Sequence, residues 1–328
     1  MKKILCIGSV TCDIIVTGAN AIPTPGTLRV VKDVSVHTGG CAANAAADLG
    51  RLGVPAALCC KVVEDMLGEY VCVQMEKAGV DTRYIVKSTE AGTTTSVVCV
   101  AGSGERSFLY GEGSTSQFTA EDISLRAVQE CDIIFVAGAM LLKRFDGAPC
   151  ARFLRQAQEA GKFTAMDTAW DFEDIWMDKI RESIAYLDLF MPSYDEAVKL
   201  TGEENPSRIA AVFKKMGAKN VVIKLGTKGA LVCPLGQEER MIPAYLCEHP
   251  ADTTGAGDSF AAGFLAGFAQ GWDQYESARF ANAVGAHCVA SVGATAGIRS
   301  IEETLDFMQR ADAAEKKKGS FKHEKTGV

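Results

Sequence analysis

Histidine is scarce, four residues in 328, and none of the twelve cysteines stands in a C-x-x-C pair. The usual zinc-site spacings are therefore missing, and a zinc centre is not expected. No apolar run approaches the roughly 18 residues of a membrane-crossing helix, and the one after Met1 ends at Asp13, short for a secretory signal. Basic charge is in deficit. With 34 Lys and Arg against 41 Asp and Glu, the net charge is −7, which argues against nucleic acid or an anionic membrane as a main partner. A Walker-type G-x-x-x-x-G-K-[ST] loop is absent. The stretch "GAGDSF" also fails the dinucleotide fingerprint, because Phe260 stands where the third glycine belongs and no strand leads straight into it.

What remains is an ordinary globular composition, 48% hydrophobic and 23% charged, on a chain long enough for one large α/β domain or two smaller ones. The cysteines lie mostly inside apolar runs such as "ILCIG" and "ALCCKVV", which suits reduced, buried thiols and a cytoplasmic protein. Apolar, strand-like runs ("KILCIGS", "AALCCKVV", "CDIIFVAG", "FTAMD", "YLDLFMPS", "NVVIKLG") alternate with segments of helical spacing. The latter include "CAANAAADLGRLGV", "MLGEYVCVQMEKAG", "CARFLRQAQEAG", "YDEAVKLTG" and "RIAAVFKKMG". This predicts an α/β fold with a mostly parallel central sheet and helices on both faces.

Two segments break the rhythm: Thr27–Gly40 and Gly92–Gly113 are β-branched, turn-rich and alternating. They read as strands of a small antiparallel sheet projecting near the carboxyl ends of the core strands, where open α/β sheets bind ligands. Such a sheet can serve as a lid that excludes water, as a dimerisation arm, or as both. The expected organisation is one domain over residues 1–311, with a discontinuous β lid from about 14–38 and 91–113. Residues 312–328, polar and basic, are expected to form a disordered tail.

The stretch "DTTGAGDSFAAGFLAG" (Asp252–Gly267) carries the chemistry. Gly255 and Gly257 free the backbone to turn and admit a ligand closely, and the apolar run after them reads as a buried helix. A helix start offers unpaired amides and the positive end of its dipole to an anion such as phosphate. Helix capping alone would account for an aspartate and glycines here. Asp258 beside a site that prefers anions also suits a proton acceptor.

Three motifs in order make the chain resemble the ribokinase-like (PfkB) carbohydrate kinase family, from Met1 to about Gln309: "DTTGAGDSFAAGF", the earlier "TGGCAANAAADLGRLG", and "GSVTCD". The resemblance implies phosphoryl transfer from ATP, with Mg2+, to a hydroxyl of a sugar-like substrate. It puts the catalytic base on Asp258 and an anion hole on the amides of Gly255, Ala256 and Gly257. It places Asp13, Gly39, Gly40 and Asn44 at the substrate hydroxyls, with Cys41 and Ala42 shaping the pocket between them. "KLGTKGALV" is similar to the family's nucleotide-side strand and loop, which puts Gly226, Thr227 and Gly229 near ATP, and Asn282 falls on the adenine side. In "PSYDEA", Glu196 matches the glutamate that arranges water around magnesium, although Ser193 replaces the usual asparagine. In "DTAWD", Ala169 likewise departs from the family pattern, leaving only Asp167 as a candidate. Asp252, Ser291 and Gly293 match places beside a monovalent-cation site such as one for K+. A homodimer through the β lid is implied as well. The substrate stays open between a sugar and a nucleoside. A phosphosugar is a further alternative, for which Arg29 and Arg106 in the lid are the only basic candidates, and a non-catalytic sugar-binding regulator is another.

Overall fold

The computed structural model of the protein describes residues 1–103 and 105–324. In chain order, β1 (Ile4–Gly8), β2 (Thr11–Thr17) and β3 (Asp33–Gly39) lead into α1 (Cys41–Arg51). Next come β4 (Ala56–Cys59), β5 (Lys61–Val63), α2 (Met66–Lys77), β6 (Val86–Ser88), β7 (Thr95–Val100), β8 (Arg106–Gly111) and α3 (Leu125–Glu130). The middle holds β9 (Ile133–Ala139), α4 (Ala148–Glu159), β10 (Phe163–Thr168), α5 (Met177–Ile184), β11 (Leu189–Phe190), α6 (Tyr194–Thr201) and α7 (Pro206–Lys215). The chain ends with β12 (Asn220–Lys224), β13 (Ala230–Cys233), β14 (Arg240–Ile242), α8 (Ala256–Ala269), α9 (Gln274–Val289) and α10 (Ile301–Glu324).

Eight strands form the central sheet in the order β14-β13-β12-β11-β10-β9-β1-β4. From β4 to β12 every neighbouring pair is parallel, and β13 and β14 add an antiparallel edge. The continuous apolar character of the strands follows from cover on both faces. In β9, where every residue is buried, Ile133, Phe135 and Ala137 pack with α1, α8 and α9, while Ile134 and Val136 pack on the opposite face with α4, α5 and α7. The α/β architecture is the one the alternating pattern predicts.

The projecting sheet has the order β3-β2-β7-β8. It consists of two antiparallel hairpins, β2–β3 and β7–β8, joined through a parallel β2–β7 pair, because both hairpins leave the body in the same direction. Residues directly opposite one another share a face. Asp13, His37, Ser96 and Tyr110 therefore lie on one face, and Ile14, Val36, Val97 and Leu109 on the other. The strand expected from Thr27 begins only at Asp33, and the expected "YLDLFMPS" strand is regular only over Leu189–Phe190.

A disordered tail is the expectation over residues 312–328. α10 runs to Glu324 through most of that stretch, and residues 325–328 lie outside the described residues. Its first turns are anchored by buried Thr304 and Met308, and the rest is rich in Ala, Glu and Lys, which are strong helix formers. No described helix is long and apolar enough to cross a membrane.

Candidate active site

The site is built at the carboxyl ends of the parallel strands, where α8 begins. Gly255 is the N-cap of α8 with φ 78°, a left-handed conformation, and a Cβ there would stand 2.5 Å from the Ala294 carbonyl oxygen. Only glycine fits. The Ala256 amide makes one long bond to the Thr253 carbonyl, at 3.3 Å, and the Gly255 and Gly257 amides have no backbone acceptor among the described residues. Asp258 follows in the first turn, half-buried. Its Oδ2 accepts a hydrogen bond of 2.8 Å from Asn44 Nδ2, across 214 residues of sequence. Burial pushes the Asp258 carboxyl above its ordinary range, while the Asn44 bond and the Lys224 charge oppose that rise.

Asn44 comes from the first turn of α1, whose N-cap is Gly40 at φ 90°. A side chain at Gly40 would meet Val10 Cα at 2.6 Å, and one at Gly39 would meet Asp13 Oδ2 at 2.1 Å. The glycine pair therefore clears room for the β1–β2 connection and for the Asp13 carboxylate. Asp13 Oδ1 accepts from the Thr11 hydroxyl at 2.8 Å. Burial raises the Asp13 carboxyl, with Thr11 and His37 opposing. The Cys41 amide donates to Ser9 Oγ at 2.9 Å, and Ala42 is fully buried beneath the site. Asp13, Gly39, Gly40, Asn44 and Asp258 thus gather at one place, where the β1–β2 connection meets the N-termini of α1 and α8.

Beside it a pocket of 260 Å³ opens between β8 and the loops after β9 and β10, lined among others by Tyr110, Met140, Lys143 and Phe172. The Tyr110 and Phe172 rings lie 6.0 Å apart, and Phe172 is exposed. Both lysines of this pocket are engaged. Lys143 pairs with Glu112 at 2.6 Å and Glu173 at 3.1 Å, and Lys179 pairs with Asp171 at 2.6 Å and Glu173 at 2.7 Å. Of the basic candidates in the lid, Arg29 is exposed on the loop before β3, and the Arg106 side chain lies outside what the structure describes.

On the other side of α8, Gly226 and Thr227 are exposed in a turn after β12, whereas Gly229 is buried, its φ of 97° bringing it within 2.0 Å, measured from a would-be Cβ, of the Ile242 carbonyl. Asn282, on α9, donates to the carbonyls of Ile242 and Pro243, both at 3.1 Å. Its amide thus holds the strand end bordering this region. Glu196 Oε2 accepts from the Thr168 hydroxyl at 2.8 Å and the Ser193 amide at 3.2 Å, so Ser193 caps α6 with Glu196 as its reciprocal partner. Asp252 accepts from the Thr254 amide at 2.8 Å and the Gly293 amide at 3.0 Å, tying the loop before α8 to the one after α9.

Three residues escaped the sequence reading. Lys224, at the end of β12, donates to both oxygens of Asp167, at 2.7 and 2.6 Å. Asp167 is 1% exposed, and burial raises its carboxyl to about 7 with Lys224 opposing. Asp171, also buried, accepts from the amides of Glu173, Ile175 and Trp176 and so folds the loop after β10. Met140, where β9 ends, adopts φ 81°, a strained conformation for a residue with a side chain. Of these only Lys224 left a signal, since a lysine closing an apolar strand needs a partner if it is buried, although the sequence does not say which.

A glycine-capped helix N-terminus with a carboxylate in its first turn, at the carboxyl edge of a parallel sheet, defines an α/β protein suited to phosphate-bearing ligands. The chain belongs to the pfkB family of carbohydrate kinases, whose pattern matches residues 1–301. It is 27% identical over 307 residues to the 2-dehydro-3-deoxygluconokinase of Bacillus subtilis (strain 168), covering 90% of this chain and 94% of that one. Its fold is similar to that of the Arabidopsis thaliana ribokinase solved with ribose and ATP, with a TM-score of 0.83, 24% identity, and coverage of 94% and 98%. An E. coli structure solved with ATP and Mg2+ is similar as well, with a TM-score of 0.81, 22% identity, and coverage of 94% and 100%.

Proposed function

We propose that the protein is an ATP-dependent kinase that phosphorylates a hydroxyl of a neutral sugar. The observation that carries this is the Asp258 carboxylate, held by Asn44 in the first turn of α8 beside the Gly255–Gly257 amides. The acceptor hydroxyl oxygen attacks the γ-phosphorus of ATP. The bond from that phosphorus to the oxygen of ADP breaks, and the hydroxyl proton passes to Asp258. Negative charge on the transferring group meets the helix amides and dipole. Asp13 and Asn44 grip the sugar hydroxyls, because a carboxylate accepts O–H bonds and an amide both donates and accepts.

Gly226, Thr227 and Gly229 border the ATP side, with Asn282 holding its edge. The donors present fit Mg2+ held largely by water and phosphate oxygens. Glu196 offers a hard carboxylate anchored at one oxygen, and no group of three or more His, Cys, Asp or Glu gathers as ligands among the described residues. Magnesium bound there would neutralise phosphate charge. A monovalent cation such as K+ would be taken by backbone carbonyls of the two loops that Asp252 ties together. The partly exposed lid face bearing Ile14, Val34, Val36, Val97 and Leu109 supports a homodimer formed through the lid. Twelve free cysteines favour the cytoplasm.

Neutral sugars are favoured over phosphosugars because Lys143 and Lys179 are already paired. The Tyr110–Phe172 rings support a second reading, a nucleoside, whose base presents a flat face to them. A coupled ATP-consumption screen over pentoses, ketohexoses, aldohexoses, nucleosides and sugar phosphates separates these readings. Turnover with a free sugar is expected, turnover confined to sugar phosphates would overturn the neutral-substrate reading, and turnover with no acceptor would overturn the kinase reading.

A further inference from the structure

A buried ion pair is a weak way to stabilise a fold, since apolar residues of similar volume do as well or better. Lys224 and Asp167 nonetheless form one, with side chains 11% and 2% exposed. They stand at the carboxyl ends of β12 and β10, which are separated by β11, so the pair does not join neighbouring strands. Its place points to a ligand. A Cβ on Gly257 would stand 3.2 Å from Lys224 Nζ, next to the amides that open α8. The charges of the Asp167, Glu196 and Asp258 carboxylates all act on Lys224. An ammonium carries three protons, and Asp167 takes two. The third has no acceptor among the described residues. A phosphoryl group entering this acidic corner brings more negative charge, and Lys224 is the cation already in place.

We propose that Lys224 is a catalytic residue that donates a hydrogen bond to the transferring phosphoryl group, and that Asp167 is a positioning residue that aims it. The proposal rests on the kinase reading above. As the bond to ADP breaks and charge grows on the phosphoryl oxygens, the fixed ammonium strengthens its interaction with them, an effect concentrated in the transition state. Lys224 gains or loses no proton in the step; the hydroxyl proton still goes to Asp258.

Removing Lys224 alone would strand Asp167 in the interior, so the test is the doubly neutral variant Asp167→Asn/Lys224→Met. It should fold, bind the sugar and ADP within about threefold of the wild type, and lose turnover by about 10²–10³-fold, as for the loss of one preorganised donor. Lys224→Arg, which keeps a cation on the same strand end, should recover turnover to within about tenfold of the wild type. A folded double variant with wild-type turnover overturns the proposal. So does a double variant that fails to fold, because the pair would then be a structural requirement. A wild-type chain without phosphotransfer to any acceptor refutes the kinase reading instead, which keeps the two failures distinct.

Discussion

Asn44→Ala removes the one side-chain amide donating to Asp258 and leaves the carboxyl group in the same half-buried place. A hydrogen bond to a charged acceptor contributes about 1.5–3 kcal/mol, which weights the ionised against the neutral carboxyl by roughly 10- to 150-fold. Burial already raises Asp258, and Asn44 is first among the groups opposing that rise. Deleting it therefore raises the carboxyl further. A base must be ionised, so the acidic limb of the pH profile of kcat/KM should move to higher pH. Below that limb the variant should lose at least about tenfold more activity than it does at alkaline pH, where both proteins are ionised and only the lost sugar contact separates them. The assay is the coupled ATP-consumption rate across pH with the best acceptor. A variant profile that stays parallel to the wild type at every pH would refute the reasoning, because Asn44 would then touch the sugar and not the base.

Gly39→Ala places a Cβ 2.1 Å from Asp13 Oδ2 and 2.6 Å from Thr11 Oγ1, so the Asp13 carboxylate must swing away; the KM for the sugar should rise about tenfold to a hundredfold with the KM for ATP unchanged, and equal changes in both would contradict Asp13 as a sugar ligand. Asp48 is fully buried, with Oδ2 accepting from Ser259 Oγ at 2.6 Å and Oδ1 without a hydrogen bond, 3.9 Å from Arg51 Nη1, and burial holds its carboxyl well above the usual range. The stability it contributes is complete below the unfolded carboxylate range and is lost as pH rises through the folded value. Asp48→Asn should therefore raise Tm at neutral pH by about 2 °C or more and flatten its pH dependence, and a lower Tm across that range in calorimetry would count against a neutral Asp48.

Much of this architecture was legible in the sequence. The all-apolar strands required cover on both faces, and the glycines around Asp258 required a turn into a buried helix; both hold. The small β13 and β14 strands were not legible, because "ALVC" and "RMI" are too short to show a period. The Lys224–Asp167 pair spans 57 residues, and nothing local to either residue names the other. The loop gathered by Asp171 and the strained backbone at Met140 are products of tertiary packing, which overrides what a short window can report. In α10 the Ala, Glu and Lys that suit a solvated tail also favour helix, so composition alone does not decide that stretch.

The central claim is that Asp258 takes the proton of the acceptor hydroxyl. Asp258→Asn keeps the size of the side chain and can still accept the Asn44 bond through its amide oxygen, but it cannot serve as a base. Steady-state turnover of the folded variant measures the claim directly. The account predicts a fall in kcat of about 10²- to 10⁴-fold with Tm and ATP affinity nearly unchanged. Turnover near the wild-type level, with a loss of Tm in its place, would contradict it and leave Asp258 as a structural residue in the first turn of α8.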